Sequence, residues 1–175
     1  MVFDQNKDWF THNITQLKKV LVEPDKIRFI VEIGNLEGRS TIWLADHCAK
    51  AKIISIDPSK NLQTRRRLLK NISEHPRCDD IDLKFGKSEH ELKRISYGVA
   101  DFIYIDGSHA TEDVLLDGLL CWKLLKKGGI MVFDDYGLEE PLGYKKYKPS
   151  IGIDAFLSVV DCKIIHKEWQ FVIQK

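Results

Sequence analysis

The feature that most constrains the fold is an alternation. Short, apolar, β-branched runs take turns with longer segments of helical period along the chain of 175 residues. The runs are Ile27–Ile33, Lys52–Asp57, Ile81–Phe85, Asp101–Asp106 and Ile130–Asp134. Nearly continuous apolar runs of this length mark strands of a parallel sheet covered by helices on both faces. The intervening Arg39–Lys50, Asn61–Ile72, Ser88–Ile95 and Thr111–Lys126 read as helices, with a leading helix at Trp9–Val22 and a last one at Ile153–Val160. In Asn61–Ile72 the apolar stripe is Leu62, Leu69 and Ile72. Ser88 and Glu91 have the spacing of a capping box. Thr111–Lys126 opens on Glu112 and Asp113, carries Leu115, Leu119 and Trp122 on one face, and is expected to stop at Gly128-Gly129. Tyr136–Ser150 reads as a loop, and the alternating tail from Lys163 to Gln174 as an antiparallel hairpin.

The expectation is a single α/β domain over 1–175, with an N-terminal helix in 1–24 and a core over 25–175. That core is a doubly wound, seven-stranded sheet, mostly parallel, with a C-terminal antiparallel hairpin and helices on both faces.

Composition bounds the function. Lys and Arg total 27 against 26 Asp and Glu, a net charge of +1, which argues against a nucleic-acid binder held by overall charge. The widely spaced Cys48, Cys78, Cys121 and Cys162 form no CxxC pair and read as reduced thiols of a cytoplasmic protein. MVFDQNKDWF places acids where a signal peptide needs an apolar centre, and no apolar run is long enough for a membrane span.

In a doubly wound sheet the ligand lies at the carboxyl ends of the strands. The first run leads into Glu32-Ile33-Gly34-Asn35-Leu36-Glu37-Gly38-Arg39-Ser40, where Gly34 permits a tight turn and Gly38 opens the next helix to a ligand. This is not the GxGxxG spacing of dinucleotide sites, which argues against a nicotinamide enzyme. Asp57 ends the second run, placed to accept ribose hydroxyls; taken alone a turn-capping role is the plainer reading, but together with the glycine loop it points to nucleoside binding. Asp106-Gly107-Ser108-His109 ends the fourth run and Asp134-Asp135 the fifth. Three carboxylates so placed repel one another without a cation and suit Mg²⁺ or a similar divalent ion; helix capping and solvent exposure are the competing reading.

These motifs together resemble class I, Rossmann-like, S-adenosylmethionine-dependent methyltransferases from about residue 25 onward. The nearest group is the small bacterial methyltransferase-domain proteins, themselves similar to metal-dependent O-methyltransferases. Glu32, Gly34, Gly38 and Ser40 match the family's E-x-G-x-x-x-G-x-S motif, with Leu36 where the general loop has a glycine. The resemblance implies that Glu32, Gly34, Gly38, Ser40, Asp57, Ser88 and Asp106 bind the donor, with Gly34 and Ser40 at the methionine part, Asp57 at the ribose and Ser88 near the adenine. It implies Asp106, Asp134 and Asp135 as metal ligands, Asp135 replacing a frequent Asn. His109 stands where catechol-type enzymes have a lysine.

The catalytic candidates are therefore His109, as general base, and Asp106. His12, His47, His75, His90 and His166 have no matching partner and read as surface or incidental, and Arg65-Arg66-Arg67 as a solvated face. Lys145, Lys146 and Lys148, weighed against Glu139 and Glu140, leave room for an anionic acceptor. The expected function is transfer of a methyl group from S-adenosylmethionine to a hydroxyl of a small molecule, such as a sugar or sugar nucleotide, aided by a divalent cation. The alternatives are a metal-independent methyltransferase and a non-catalytic donor-binding module. No nucleic-acid or membrane partner is expected, and the oligomeric state is open.

Overall fold

The computed structural model describes residues 1–4, 6, 8–138 and 147–175. Its elements are α1 (Ile14–Val20), β1 (Phe29–Ile33), α2 (Arg39–His47), β2 (Lys52–Ile56), α3 (Leu62–Ser73), β3 (Ile81–Lys84), α4 (Ser88–Glu91), β4 (Ala100–Ile105), α5 (Thr111–Leu124), β5 (Leu125–Phe133), α6 (Pro149–Leu157), β6 (Lys163–Lys167) and β7 (Phe171–Gln174). Among the described residues seven strands form one sheet in the order β3-β2-β1-β4-β5-β7-β6. β1 to β5 are parallel, and β7 runs antiparallel to both β5 and β6.

Strand residues alternate between two apolar layers, as a sheet covered on both faces requires. On β4, Phe102 and Tyr104 join Leu17, Leu44 and Leu68 on one face. Ile103 and Ile105 join Val114, Cys121, Phe133 and Phe156 on the other. β7 lies between β5 and β6, so Phe171, Val172 and Ile173 are all buried despite the alternating tail.

Several local expectations change. The leading helix is shorter, a 3₁₀ turn at Thr11–Asn13 running into α1. α3 is capped by Asn61, whose Oδ1 accepts from the Gln63 and Thr64 amides. It buries Thr64, Leu68, Asn71 and Ile72, while Leu62 and Leu69 are exposed. The true face is set by the i, i+4, i+7 rows that meet the sheet. Ser88 is the first residue of α4 rather than its cap, and Glu91 pairs with Arg94 at 2.9 Å. α5 stops at Leu124, before the Gly pair, because Leu125 turns extended and pairs with Ala100. Gly128, at φ +80°, is then absorbed within β5. α6 begins at Pro149, whose missing N–H suits a first turn.

Arg67 is a tie rather than a solvated residue. It reaches Glu37 Oε1 at 2.7 Å and Asp4 Oδ2 at 3.2 Å, and the Asp4 amide donates to Glu37 Oε2 at 2.7 Å. The N-terminal segment is thereby held against the loop after β1. Arg65 lies over the Phe85 ring at 3.9 Å.

Candidate active site

Register gathers the site. Ile33 pairs with Ile56 on one side and Ile105 on the other, and Ile105 pairs with Phe133. The ladder continues one residue further: Gly34 donates to Ile56, Asp106 to Ile33 and Asp134 to Ile105, at 2.8–2.9 Å. Gly34, Asp57, Asp106 and Asp134 therefore stand side by side at four neighbouring strand ends. A Cβ on Gly34 would lie 1.8 Å from the Asp106 carbonyl oxygen, so no side chain fits there.

These ends open into a cavity of about 740 Å³. It is lined by Gly34, Ser40, Asp57, Ser88, Asp106, His109, Asp134 and Asp135 among the expected residues. Glu32 and Gly38 do not line it. Glu32 is fully buried beneath the loop, its Oε2 accepting from Thr41 at 2.5 Å and Ser55 at 2.6 Å. Burial pushes its carboxyl up, and the hydroxyls of Ser40, Ser55 and Thr41 pull it back. It braces the loop rather than reaching the cavity. Gly38, at φ +85°, turns the chain into α2. Leu36 adopts a positive φ of 45° where the general loop has glycine.

Asp57 is committed to the same loop. Its Oδ2 accepts from the amides of Asn35 at 3.1 Å and Leu36 at 3.4 Å, and its Oδ1 from that of Ser59 at 2.6 Å. A carboxylate offers about four acceptor positions, so little capacity remains for both hydroxyls of a ribose.

The acids divide into two groups. Asp106, His109 and Asp135 each place one ligand atom within 4.8 Å of the other two, and His109 Nε2 lies 2.8 Å from Asp135 Oδ2. Asp134 is outside this group. Its Oδ2 accepts from Asn13 Nδ2 at 2.9 Å and its Oδ1 from Gln170 Nε2 at 2.6 Å, so both oxygens are held by buried amides. Of the expected metal set of Asp106, Asp134 and Asp135, Asp106 and Asp135 come together with His109, and Asp134 does not join that group.

Burial raises Asp106 well above the carboxylate range, with Asp134, Asp135 and Glu32 adding to the shift. Burial also lifts Asp134 to about 6, Asp135 adding to it while Gln170 and Asn13 offset it. Tyr104 is raised well above its ordinary value by burial and by Asp106 and Asp134. Asn13 Nδ2 also donates to Tyr104 Oη at 3.3 Å.

Sequence reasoning did not single out Asn13, Tyr104, Asp117 or Gln170. Asn13 and Gln170 gave no signal, since their partner lies 121 and 36 residues away. Asp117 did: it interrupts the buried face of α5 formed by Val114, Gly118 and Cys121. Two histidines also differ from expectation. His12 lines the cavity, as do Trp9, Phe10, Leu138 and Trp169. His75 is buried, a ring nitrogen 3.0 Å from Asp46 Oδ1. Gly143, Lys145, Lys146, Glu139 and Glu140 lie outside the described residues. Among the described residues no helix is long and apolar enough to cross a membrane.

Known proteins share this architecture. The O-methyltransferase from Bacillus cereus, solved in complex with SAH, superposes with a TM-score of 0.68 at 20% identity, over 92% of this chain and 81% of that one. The O-methyltransferase TomG from Streptomyces achromogenes, solved with SAM, gives 0.67 at 16% identity, over 91% and 78%. At such identities the likeness concerns the fold. Protein R132 of Acanthamoeba polyphaga mimivirus is 32% identical over 129 residues, 65% of this chain, and this chain spans about half (53%) of that curated relative. The sequence model of the methyltransferase domain matches residues 31–136, from β1 to just past β5 and more than half of the chain. With that match laid over the strand ends that build the cavity, the chain belongs to the methyltransferase-domain family.

Proposed function

We propose that the protein moves a methyl group from S-adenosylmethionine to a hydroxyl of a small molecule. The observation that carries this reading is the joining, in one cavity, of the glycine loop and Asp57 with the Asp106–His109–Asp135 group. The donor's sulfonium supplies an activated methyl. The chain's task is to hold donor and acceptor in line and to take a proton; alignment alone is worth several kcal/mol, on the order of 7–11 at best.

Gly34 and Ser40 face the methionine part, Asp57 the ribose, and Ser88 the adenine. His109 takes the acceptor's proton, and Asp135, 2.8 Å away, orients the imidazole. Trp9, Phe10, His12, Leu138 and Trp169 wall the acceptor side, which suits a ring-bearing molecule such as a sugar or sugar nucleotide.

A second reading is favoured by the two carboxylates and one imidazole of Asp106, Asp135 and His109, an oxygen and nitrogen donor set that fits a divalent cation. These three would hold it, and Asp134 would not. Such an ion, when bound, lowers the pKa of a hydroxyl attached to it.

The test is transfer from labelled S-adenosylmethionine to a panel of sugars, sugar nucleotides and phenols, with and without EDTA. Transfer to oxygen that survives EDTA and is lost in His109→Ala supports the first reading; loss with EDTA supports the second. Transfer only to nitrogen or sulfur acceptors overturns both.

A further inference from the structure

Asp117 sits on α5 with its side chain on the buried face, 2% exposed, yet it lines the cavity. The charges that bear on it are Asp113 and Glu89, both acidic. Each of those has a partner: Asp113 accepts from the Ser108 hydroxyl at 2.6 Å, and Glu89 faces His90 at 3.4 Å and Lys87 at 3.8 Å. Asp117 has the Ser88 hydroxyl beside it and no cation among the described residues. Burial lifts its carboxyl to about 6. A buried acid so placed is a cost to the fold, which an apolar residue beside Val114 and Cys121 would avoid. It is offset when a ligand brings hydrogen-bond donors to it.

The topology says which part of a nucleoside arrives there. In the order β3-β2-β1-β4-β5, Asp57 and the start of α4 follow β2 and β3, on one side of the glycine loop. Asp106, His109 and Asp135 follow β4 and β5, on the other. A donor whose sulfur lies toward Asp106 and whose ribose lies by Asp57 directs its base to Ser88 and, behind it, Asp117.

We propose that the Asp117 carboxylate accepts a hydrogen bond from the exocyclic amine of the donor's adenine, so that the pocket selects a 6-aminopurine over a 6-oxopurine. The inference rests on the cavity being the S-adenosylmethionine site. A 6-amino group presents N–H donors to the carboxylate; a 6-oxo group presents a carbonyl oxygen, which the carboxylate repels. Ser88 acts as a positioning residue, its hydroxyl holding the carboxylate toward the base.

The experiment is calorimetry with S-adenosylhomocysteine and S-inosylhomocysteine on wild type, Asp117→Asn and Ser88→Ala, each checked by thermal melting. Wild type is expected to favour the adenosyl compound by about 10- to 100-fold, the weight of one hydrogen bond to a charged group. Asp117→Asn, whose amide can turn its NH₂ to a 6-oxo group, should bring the two within about threefold or reverse them, and Ser88→Ala should narrow the gap. Equal affinities in wild type overturn the inference whatever the variants do, as does an undiminished preference in folded Asp117→Asn. Failure of wild type to bind either compound overturns the donor reading, and this inference with it.

Discussion

His109 Nε2 stands 2.8 Å from Asp135 Oδ2, while the neighbouring Asp134 accepts from the amides of Asn13 and Gln170. Two adjacent acids at one strand end therefore do different work. Asp135 faces the imidazole and the cavity. Asp134 ties the N-terminal segment and the β6–β7 connection to the end of β5.

That division can be measured. His109→Ala is expected to lower turnover by roughly 10²–10⁴-fold, the usual contribution of a general base, with S-adenosylhomocysteine affinity unchanged. Asp135→Asn should lower turnover as well, and calorimetry should again show intact donor binding. A drop in donor affinity equal to the drop in rate would place His109 in donor binding instead.

Asp134→Asn should act on the fold. Its new NH₂ group would meet the amide of Asn13 or Gln170, donor against donor, until one of those side chains turns over. The expected cost is about 1–3 kcal/mol by chemical denaturation. Mn²⁺ binding, followed by electron paramagnetic resonance, should be weakened by Asp135→Ala and little changed by Asp134→Asn.

Gly34→Ala should be severe. The new methyl would overlap the Asp106 carbonyl, and φ +85° adds backbone strain. A loss of about 3 kcal/mol or more is expected, since β1 and β4 would have to part. A melting temperature within 2–3 °C of wild type (roughly the shift of 1 kcal/mol for a chain of this size) would contradict the packing described here.

Asp57→Ala removes the acceptor for three loop amides as well as the ribose partner. Both donor affinity and stability should fall, the affinity by about tenfold or more if one charged hydrogen bond reaches the ligand. Lower stability with unchanged affinity would confine Asp57 to bracing the loop.

Asp117 gives a pH dependence of stability. Its carboxyl is at about 6 in the folded protein, against roughly 3.9 in an unfolded chain. The folded pKa is the higher one, so the favourable contribution is complete below about 4 and is lost as pH rises through 6. The two-unit difference corresponds to about 3 kcal/mol between acid and neutral pH in the ligand-free protein. Asp117→Asn should flatten that slope and be the more stable protein at pH 7.5, as read from urea midpoints between pH 4 and 8.

The alternation of apolar runs and helical segments determined the layered fold by itself, because a strand buried on both faces has to be apolar throughout and a covering helix has to be amphipathic. The placement of Gly34, Asp57, Asp106 and Asp134 at strand ends was legible for the same reason: Gly34 directly follows its apolar run, and each Asp closes one. What the tertiary structure decided is where those side chains point and what holds them. Asn13 and Gln170 reach Asp134 from opposite ends of the chain, and no local pattern encodes a contact across 121 residues. Glu32 matched a motif yet lies under the loop, because the inward side of β1 meets α2 and β2 there. Leu62 and Leu69 share spacing with Ile72 but face outward, since only packing against the sheet chooses among overlapping helical stripes. His109 joined the acids because parallel register brings the ends of β4 and β5 together, and register is a property of the assembled sheet.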